Sequence, residues 1–161
     1  MIFLTLGTQA FQFNRLIQAV DELVEAGIIK DEVSAQTGHS TYKPKNYTAE
    51  PFMSYDEFNR LITECDILIT HGGASTLVES VKNGKTVIAM PRKKCFNEHV
   101  DDHQHEIIDE FTERGYILSV SEPEELANAL TTAETFTPKP FEDSGSRVQE
   151  LLNEFINNLY S

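Results

Sequence analysis

Nowhere does this 161-residue sequence string together the roughly 20 apolar residues that a membrane-spanning helix requires. Basic residues are scarce as well: 13 Lys and Arg stand against 26 Asp and Glu, a net charge of −13. A nucleic-acid binder needs a broad basic surface, so no nucleic-acid partner is expected. Cysteine occurs only as Cys65 and Cys95, too far apart for a C-x-x-C pair and too few for a zinc ligand set. The amino-terminal MIFLTLGTQ lacks the basic flank of a signal peptide and reads as a first strand. These absences together imply a cytoplasmic chain with free thiols.

What is present is the composition of an ordinary globular protein, 40% apolar and 24% charged, with a length that suits one domain over 1–161. Acids are unevenly spread, 12 against 10 bases in residues 1–100 but 14 against three in 101–161. Such a tail serves solubility, and it repels an anionic ligand unless local donors overcome it. Against this background Arg92-Lys93-Lys94 stands out as the one three-residue basic run. It either faces a phosphate, an anionic membrane or an acidic partner, or is a solvated loop.

Apolar runs and helical stripes alternate along the chain. Strands are expected at 2–6, 32–37, 47–52, 66–70, 86–90 and 116–120. Helices are expected at 14–26, from a capping box at Ser54-Tyr55-Asp56-Glu57 to residue 64, from Ala74 to the Asn83-Gly84 stop, and over 99–113. Another begins at Pro123 and runs to about 133, and a last one covers about 144–160. Alternation of this kind gives a Rossmann-like three-layer α/β fold with a parallel sheet. Right-handed crossovers then predict the strand order 3-2-1-4-5-6, with strands one and four as neighbours at the switch point. The glycine turns Gly7-Thr8 and Gly72-Gly73 would flank one crevice there.

The densest signal is DILITHGGASTLVESVKNG at 66–84: strand, double-glycine turn, helix start. Glycines let backbone approach a ligand closely, and free N–H groups at the positive end of a helix favour an anion. The spacing is neither the dinucleotide G-x-G-x-x-G nor the P-loop G-x-x-x-x-G-K-[ST]. Gly72, Gly73, Ala74, Ser75 and Thr76 are therefore read as a phosphate-cradling loop, against the bland alternative of a turn whose cap is Ser75 or Thr76. On this reading Gly73→Asp abolishes anion binding and leaves the fold intact. Glu79, one turn in, suits the two hydroxyls of a ribose, or else only the helix dipole. His71 is either a phosphate donor or a buried structural histidine. Thr8 and Gln9 follow strand one and can reach the same anion. Asp101, Asp102, His103 and Gln104 follow strand five and can bond sugar hydroxyls. His99 and His103 have the i, i+4 spacing that also suits a metal, with Asp102 as a third ligand, but no metal site is assigned. His39 is the candidate general base, or simply a loop residue.

LTLGTQAFQFNRLIQAVD, AQTGHS, THGGASTLVES and RKKCFNEHVDDHQHEI, in that order, resemble the C-terminal-domain-only GT-B glycosyltransferases of the family 28 type. This group includes the catalytic subunit of the two-part N-acetylglucosaminyl transferase acting on dolichol-linked sugar, and bacterial counterparts for capsular and exopolysaccharide units. The resemblance covers roughly residues 1–120. It implies the donor-binding half of a GT-B enzyme, inverting, without a cofactor or bound metal. Gly7 and the loop at 71–73 would hold the diphosphate of a UDP-sugar, Glu79 the ribose, and Gln104 with Asp101 or Asp102 the donor sugar. It further implies a membrane-associated acceptor-binding subunit that recruits this chain to the cytoplasmic membrane face, and a lipid-diphosphate-linked saccharide as acceptor. The family loop often reads Gly-Gly-Ala-Gly, and Ser75 stands here at its fourth position. The alternative reading is a non-catalytic subunit that binds a nucleotide sugar for regulation. A receiver-like signalling domain is disfavoured, because Gly7-Thr8 stands where that class needs acidic residues.

Overall fold

The computed structural model describes residues 1–7, 10–98 and 104–141. Six parallel strands carry the domain: β1 (Ile2–Thr5), β2 (Val33–Gln36), β3 (Thr48–Glu50), β4 (Ile67–Thr70), β5 (Thr86–Ala89) and β6 (Leu118–Ser119). Their order in the sheet is β3-β2-β1-β4-β5-β6, as expected from the alternation of strands and helices. The five α-helices among the described residues are α1 (Asn14–Glu25), α2 (Tyr55–Glu64), α3 (Ala74–Lys82), α4 (Gln104–Glu113) and α5 (Leu126–Ala133).

Strand residues alternate between two buried faces, which is why the runs are apolar throughout. Ile2, Leu4, Ile69 and Ile88 join Leu16, Ile17 and Val20 of α1 and Leu126 of α5 in one core. Phe3, Leu68, Val87 and Ala89 join Leu61 and Ile62 of α2, Leu77 and Val81 of α3, and Ile108 and Phe111 of α4 in the other. Helices thus cover both faces, and the three-layer Rossmann-like reading holds.

The boundaries differ in instructive ways. Of the capping box, Ser54 Oγ accepts from Glu57 N at 3.1 Å, but the Glu57 carboxylate takes Arg60 instead (Nη2–Oε1 2.6 Å). The stretch after Pro123 starts as a 3-10 turn, Pro123–Glu125, before α5. β6 forms only two ladder positions, where five strand residues were expected. Residues 99–103 and the expected helix at 144–160 lie outside the described residues.

The polar segment after β2 is held by a single buried carboxylate on α1. Asp21 accepts from Tyr42 Oη (2.9 Å), Lys45 N (3.0 Å), Asn46 N (3.0 Å) and Asn46 Nδ2 (3.0 Å). Asn14 adds to the anchor, its Oδ1 accepting from Thr41 N (2.8 Å) and Tyr42 N (2.9 Å). Burial alone would push the Asp21 carboxyl up, but the bonds from Lys45, Tyr42 and Asn46 outweigh it and hold the group below its ordinary 3.8. A carboxylate whose folded value lies below its unfolded one stabilises the fold above the unfolded value and loses that contribution as pH falls through the folded one. Asp21→Asn, which turns an amide N–H₂ toward backbone donors, is expected to cost about 2 kcal/mol at neutral pH. Urea unfolding across pH should show the gap to wild type constant at neutral pH and shrinking below 3.8.

Candidate functional site

Strands β1 and β4 pair from Ile2↔Ile67 to Thr5↔Thr70, so both chains leave the sheet side by side at its C-terminal edge. Gly7 follows one and His71-Gly72-Gly73 the other. The His71 imidazole, only 5% exposed, lies between the two turns. A Cβ added at Gly7 would stand 2.9 Å from His71 Cε1, and one at Gly73 would stand 2.8 Å from His71 Nε2. Gly7 also needs its glycine for conformation, at φ +72°. The turn after β2 joins them, because a Cβ on Gly38 would meet the Gly7 carbonyl oxygen at 2.6 Å. Three turns from three neighbouring strands therefore converge, with the His71 imidazole packed between two of them.

That imidazole is positioned through Nδ1, which lies 3.4 Å from Thr70 Oγ1 and 3.5 Å from Thr5 O. Both are at the long limit for a hydrogen bond. On the far side, Ile108 of α4 closes over Gly72: an added Cβ there would meet Ile108 Cδ1 at 2.4 Å.

Helix α3 starts at Ala74, and its cap is Gly73 (φ −60°, ψ 133°) with no side-chain hydrogen bond. The bland reading of the motif needed Ser75 or Thr76 as the cap; both lie instead inside the first turn. That first turn carries no acidic residue, Ser75 is exposed and Thr76 is half-buried. Among the described residues, the positive end of the helix dipole thus meets the glycine turn with no side-chain cap and no acidic residue in the first turn. Glu79 lies further along α3 with an exposed side chain. A cradle of close backbone at an uncompensated helix N-terminus can hold an anion.

A family model described as the glycosyltransferase family 28 C-terminal domain matches residues 1–159. The chain belongs to glycosyltransferase family 28. Among curated relatives, the yeast (Saccharomyces cerevisiae) UDP-N-acetylglucosamine transferase subunit ALG13 is 32% identical over 98 residues, 60% of this chain and 45% of that protein. Its mouse (Mus musculus) namesake is 25% identical over 132 residues, 72% of this chain and 10% of that protein. The chain thus spans less than half the length of either. A solution structure of ALG13 superposes at TM-score 0.57 with 18% identity, covering 99% of this chain and 96% of that one. Acinetobacter baumannii MurG superposes at TM-score 0.58 with 19% identity, covering 82% of this chain and 41% of that one. The fold is accordingly that of one Rossmann-like half of a GT-B glycosyltransferase.

Within this family 28 domain, the residues singled out by sequence fall into three groups. Gly7, His71, Gly72, Gly73, Ala74, Ser75 and Thr76 are brought together at the ends of β1 and β4. His39 sits on the rim: it is exposed, follows Gly38, and stands edge-on to Phe52 at 5.3 Å. Thr8, Gln9, Asp101 and Asp102 lie outside the described residues, as do His99 and His103. Gln104 opens α4, and its side chain is likewise outside the described part.

Sequence reasoning left Arg92-Lys93-Lys94 open between a surface that faces an anion and a solvated loop, and the structure buries Arg92. Arg92 is 1% exposed, with Nη2 donating to Leu6 O (2.8 Å) and Phe11 O (3.2 Å), while Nε and Nη1 have no hydrogen-bond partner. Burial lowers its pKa to about 10, with Glu98 opposing the shift, so it stays cationic at neutral pH. Lys93 is ion-paired to Glu122. Glu98, also 1% exposed, opens the polar segment after strand five but was given no role by sequence: it accepts from Arg15 Nε (3.1 Å) and Nη2 (2.9 Å) and from Lys93 N (2.9 Å). Its partner Arg15 lies 83 positions away, so no local spacing signals the pair.

The shared imidazole couples the glycine turns. Gly73→Ala must displace the ring, and should destabilise by about 1–3 kcal/mol in urea unfolding. His71→Ala vacates that space, so Gly73→Ala added to it should cost measurably less, a favourable coupling in a double-mutant cycle. Additive losses would contradict the packing described.

Proposed function

We propose that this chain is the donor-binding half of an inverting glycosyltransferase that takes a UDP-sugar. The observation that carries the reading is the convergence of the Gly7, Gly38 and Gly73 turns at the uncapped start of α3. Family 28 membership supports it, as does the printed name of the relatives, a subunit of UDP-N-acetylglucosamine transferase. The diphosphate sits on the backbone N–H groups of Gly73 through Thr76 and against Gly7, with Thr8 and Gln9 beside it. Glu79 accepts the ribose hydroxyls, and Asp101 or Asp102 with Gln104 holds the donor sugar. N-acetylglucosamine is the donor the relatives' name favours.

In the reaction an acceptor hydroxyl attacks the anomeric carbon from the face opposite the diphosphate. The carbon–oxygen bond to UDP breaks through an oxocarbenium-like state, and configuration inverts. Helix-end N–H groups are suited to the charge that develops on the departing diphosphate, because they are fixed before the reaction begins. His39 on the rim takes the hydroxyl proton. The acceptor, a lipid-diphosphate-linked saccharide of glycolipid or polysaccharide biosynthesis, is held by a separate membrane-associated subunit that recruits this cytoplasmic chain. Solved relatives of the two-half type are covered only in part, 41% for MurG, whereas the ALG13 structure is covered over 96%.

Ser75→Asp separates binding from folding. A carboxylate in the first turn of α3 complements the dipole and should stabilise the free protein by about 0.3–1 kcal/mol. The same charge repels a diphosphate. Saturating UDP should raise the wild-type melting temperature by about 5–10 °C, and should raise that of Ser75→Asp far less. Gly73→Asp is a poorer test than its sequence suggests, because its Cβ also collides with His71. Failure of UDP, UDP-GlcNAc, UDP-Gal, UDP-Glc and UDP-GlcA alike to shift the wild type would remove the donor reading. With the partner present, His39→Gln should lower kcat by about 10²–10⁴-fold and leave UDP affinity unchanged. A partner-reconstituted sugar-transfer assay that shows binding without turnover would leave a regulatory subunit instead.

A further inference from the structure

The described residues between β1 and α1 are held from outside by two segments: the one after β2, where Phe13 N donates to Ser40 Oγ (2.8 Å), and the loop that follows β5, residues 90–98. Arg92 Nη2 spans Leu6 O and Phe11 O, at 2.8 and 3.2 Å, and so ties together the two ends of the segment that contains Gly7. Gln12 Nε2 reaches Phe96 O (3.0 Å) and Asn97 O (3.4 Å). Arg15, the second residue of α1, is fixed by the buried Glu98 carboxylate, and its guanidinium also lies 4.5 Å from the Phe96 ring centroid. Asn97 takes φ +58°, a left-handed turn that returns the chain so that Glu98 N donates to Lys93 O (3.2 Å). Glu98 thereby closes the β5 loop on itself, through Lys93 N, and on α1 in the same carboxylate.

A brace made of buried charges is a poor source of stability, since well-packed apolar residues do as well or better. What it supplies is direction. Among the described residues, two buried guanidinium nitrogens of Arg92, Nε and Nη1, have no hydrogen-bond partner, at a cost, while Nη2 fixes the carbonyls of Leu6 and Phe11. From this we infer that Arg92 and Glu98 are positioning residues for the anion cradle: they set the β1 turn against the β4 turn without touching the ligand. The inference rests on the nucleotide reading above and deepens it. It assigns phosphate affinity to residues remote in sequence from the glycine motif. Lys at position 92 keeps the charge but replaces the fixed planar guanidinium with a compact ammonium on a flexible stem, so the two carbonyls are no longer held in one set geometry.

Calorimetry with UDP and with uridine distinguishes positioning from mere stabilisation, because uridine lacks the phosphates that the cradle holds. Glu98→Gln and Arg92→Lys should each weaken UDP binding by about tenfold or more, with uridine affinity moving less than about twofold. Gln12→Ala, a milder change on a partly exposed side chain, should give a smaller loss of the same selectivity and keeps the test open if a buried-charge variant fails to fold. Arg60→Ala, which breaks the exposed pairs to Glu57 and Glu64 on α2, should alter neither affinity. Folded variants that bind UDP as wild type does, or that lose UDP and uridine in step, would overturn the positioning role. Wild-type protein that binds neither UDP nor a UDP-sugar would overturn the nucleotide reading itself, and this inference with it.

Discussion

Four ladder positions between β1 and β4 decide where the polar features of this domain end up. The pairing is parallel and in register, so Thr5 and Thr70 finish level and the two chains turn out of the sheet together. Every contact around His71 follows from that. Had the register slipped by one residue, Leu4 and Ile69 would exchange cores with Phe3 and Leu68, and both layers of helices would lose their footing. The hydrophobic effect thus fixes the register, and the register fixes the crevice.

The crevice is defined by subtraction of side chains. A β-carbon added at Gly7, Gly38 or Gly73 would come within 3 Å of a neighbouring atom, and two of those atoms belong to one ring. Close backbone of this kind presents N–H groups at a density that side chains cannot match, and it does so without any conformational entropy left to lose. The acidic surplus in residues 101–161 is therefore no obstacle in principle, since short-range donors decide the local field.

Much of this was legible in the sequence, and for identifiable reasons. Strand order followed from handed crossovers, which depend on alternation and not on detail. The glycine turn into α3 was visible because glycine is the one residue whose presence states a backbone requirement. Ser54 capped as its spacing implied, but Glu57 answered to Arg60, because a long exposed side chain chooses the stronger partner. The burial of Arg92 was not legible: adjacency to Lys93 and Lys94 left an anion-facing surface or a solvated loop open, whereas the chain carries Arg92 inward after β5. Glu98 and Asp21 were silent for a different reason. Their partners are assembled by tertiary folding, and a carboxylate with distant ligands has no periodicity to betray it.

The approach of Gly38 to the carbonyl of Gly7 has a consequence for how such a protein can diversify. A floor built from touching main chains offers no handle for tuning, since almost any substitution there breaks it. Change of specificity must then be written into the walls: the tethered segment beyond β2, whose shape is set by Asp21 and Asn14, and the stretch beyond β5. On the donor-binding reading proposed above, an inert base with adjustable sides would let one scaffold serve many donors, and it tells an engineer which residues to leave alone.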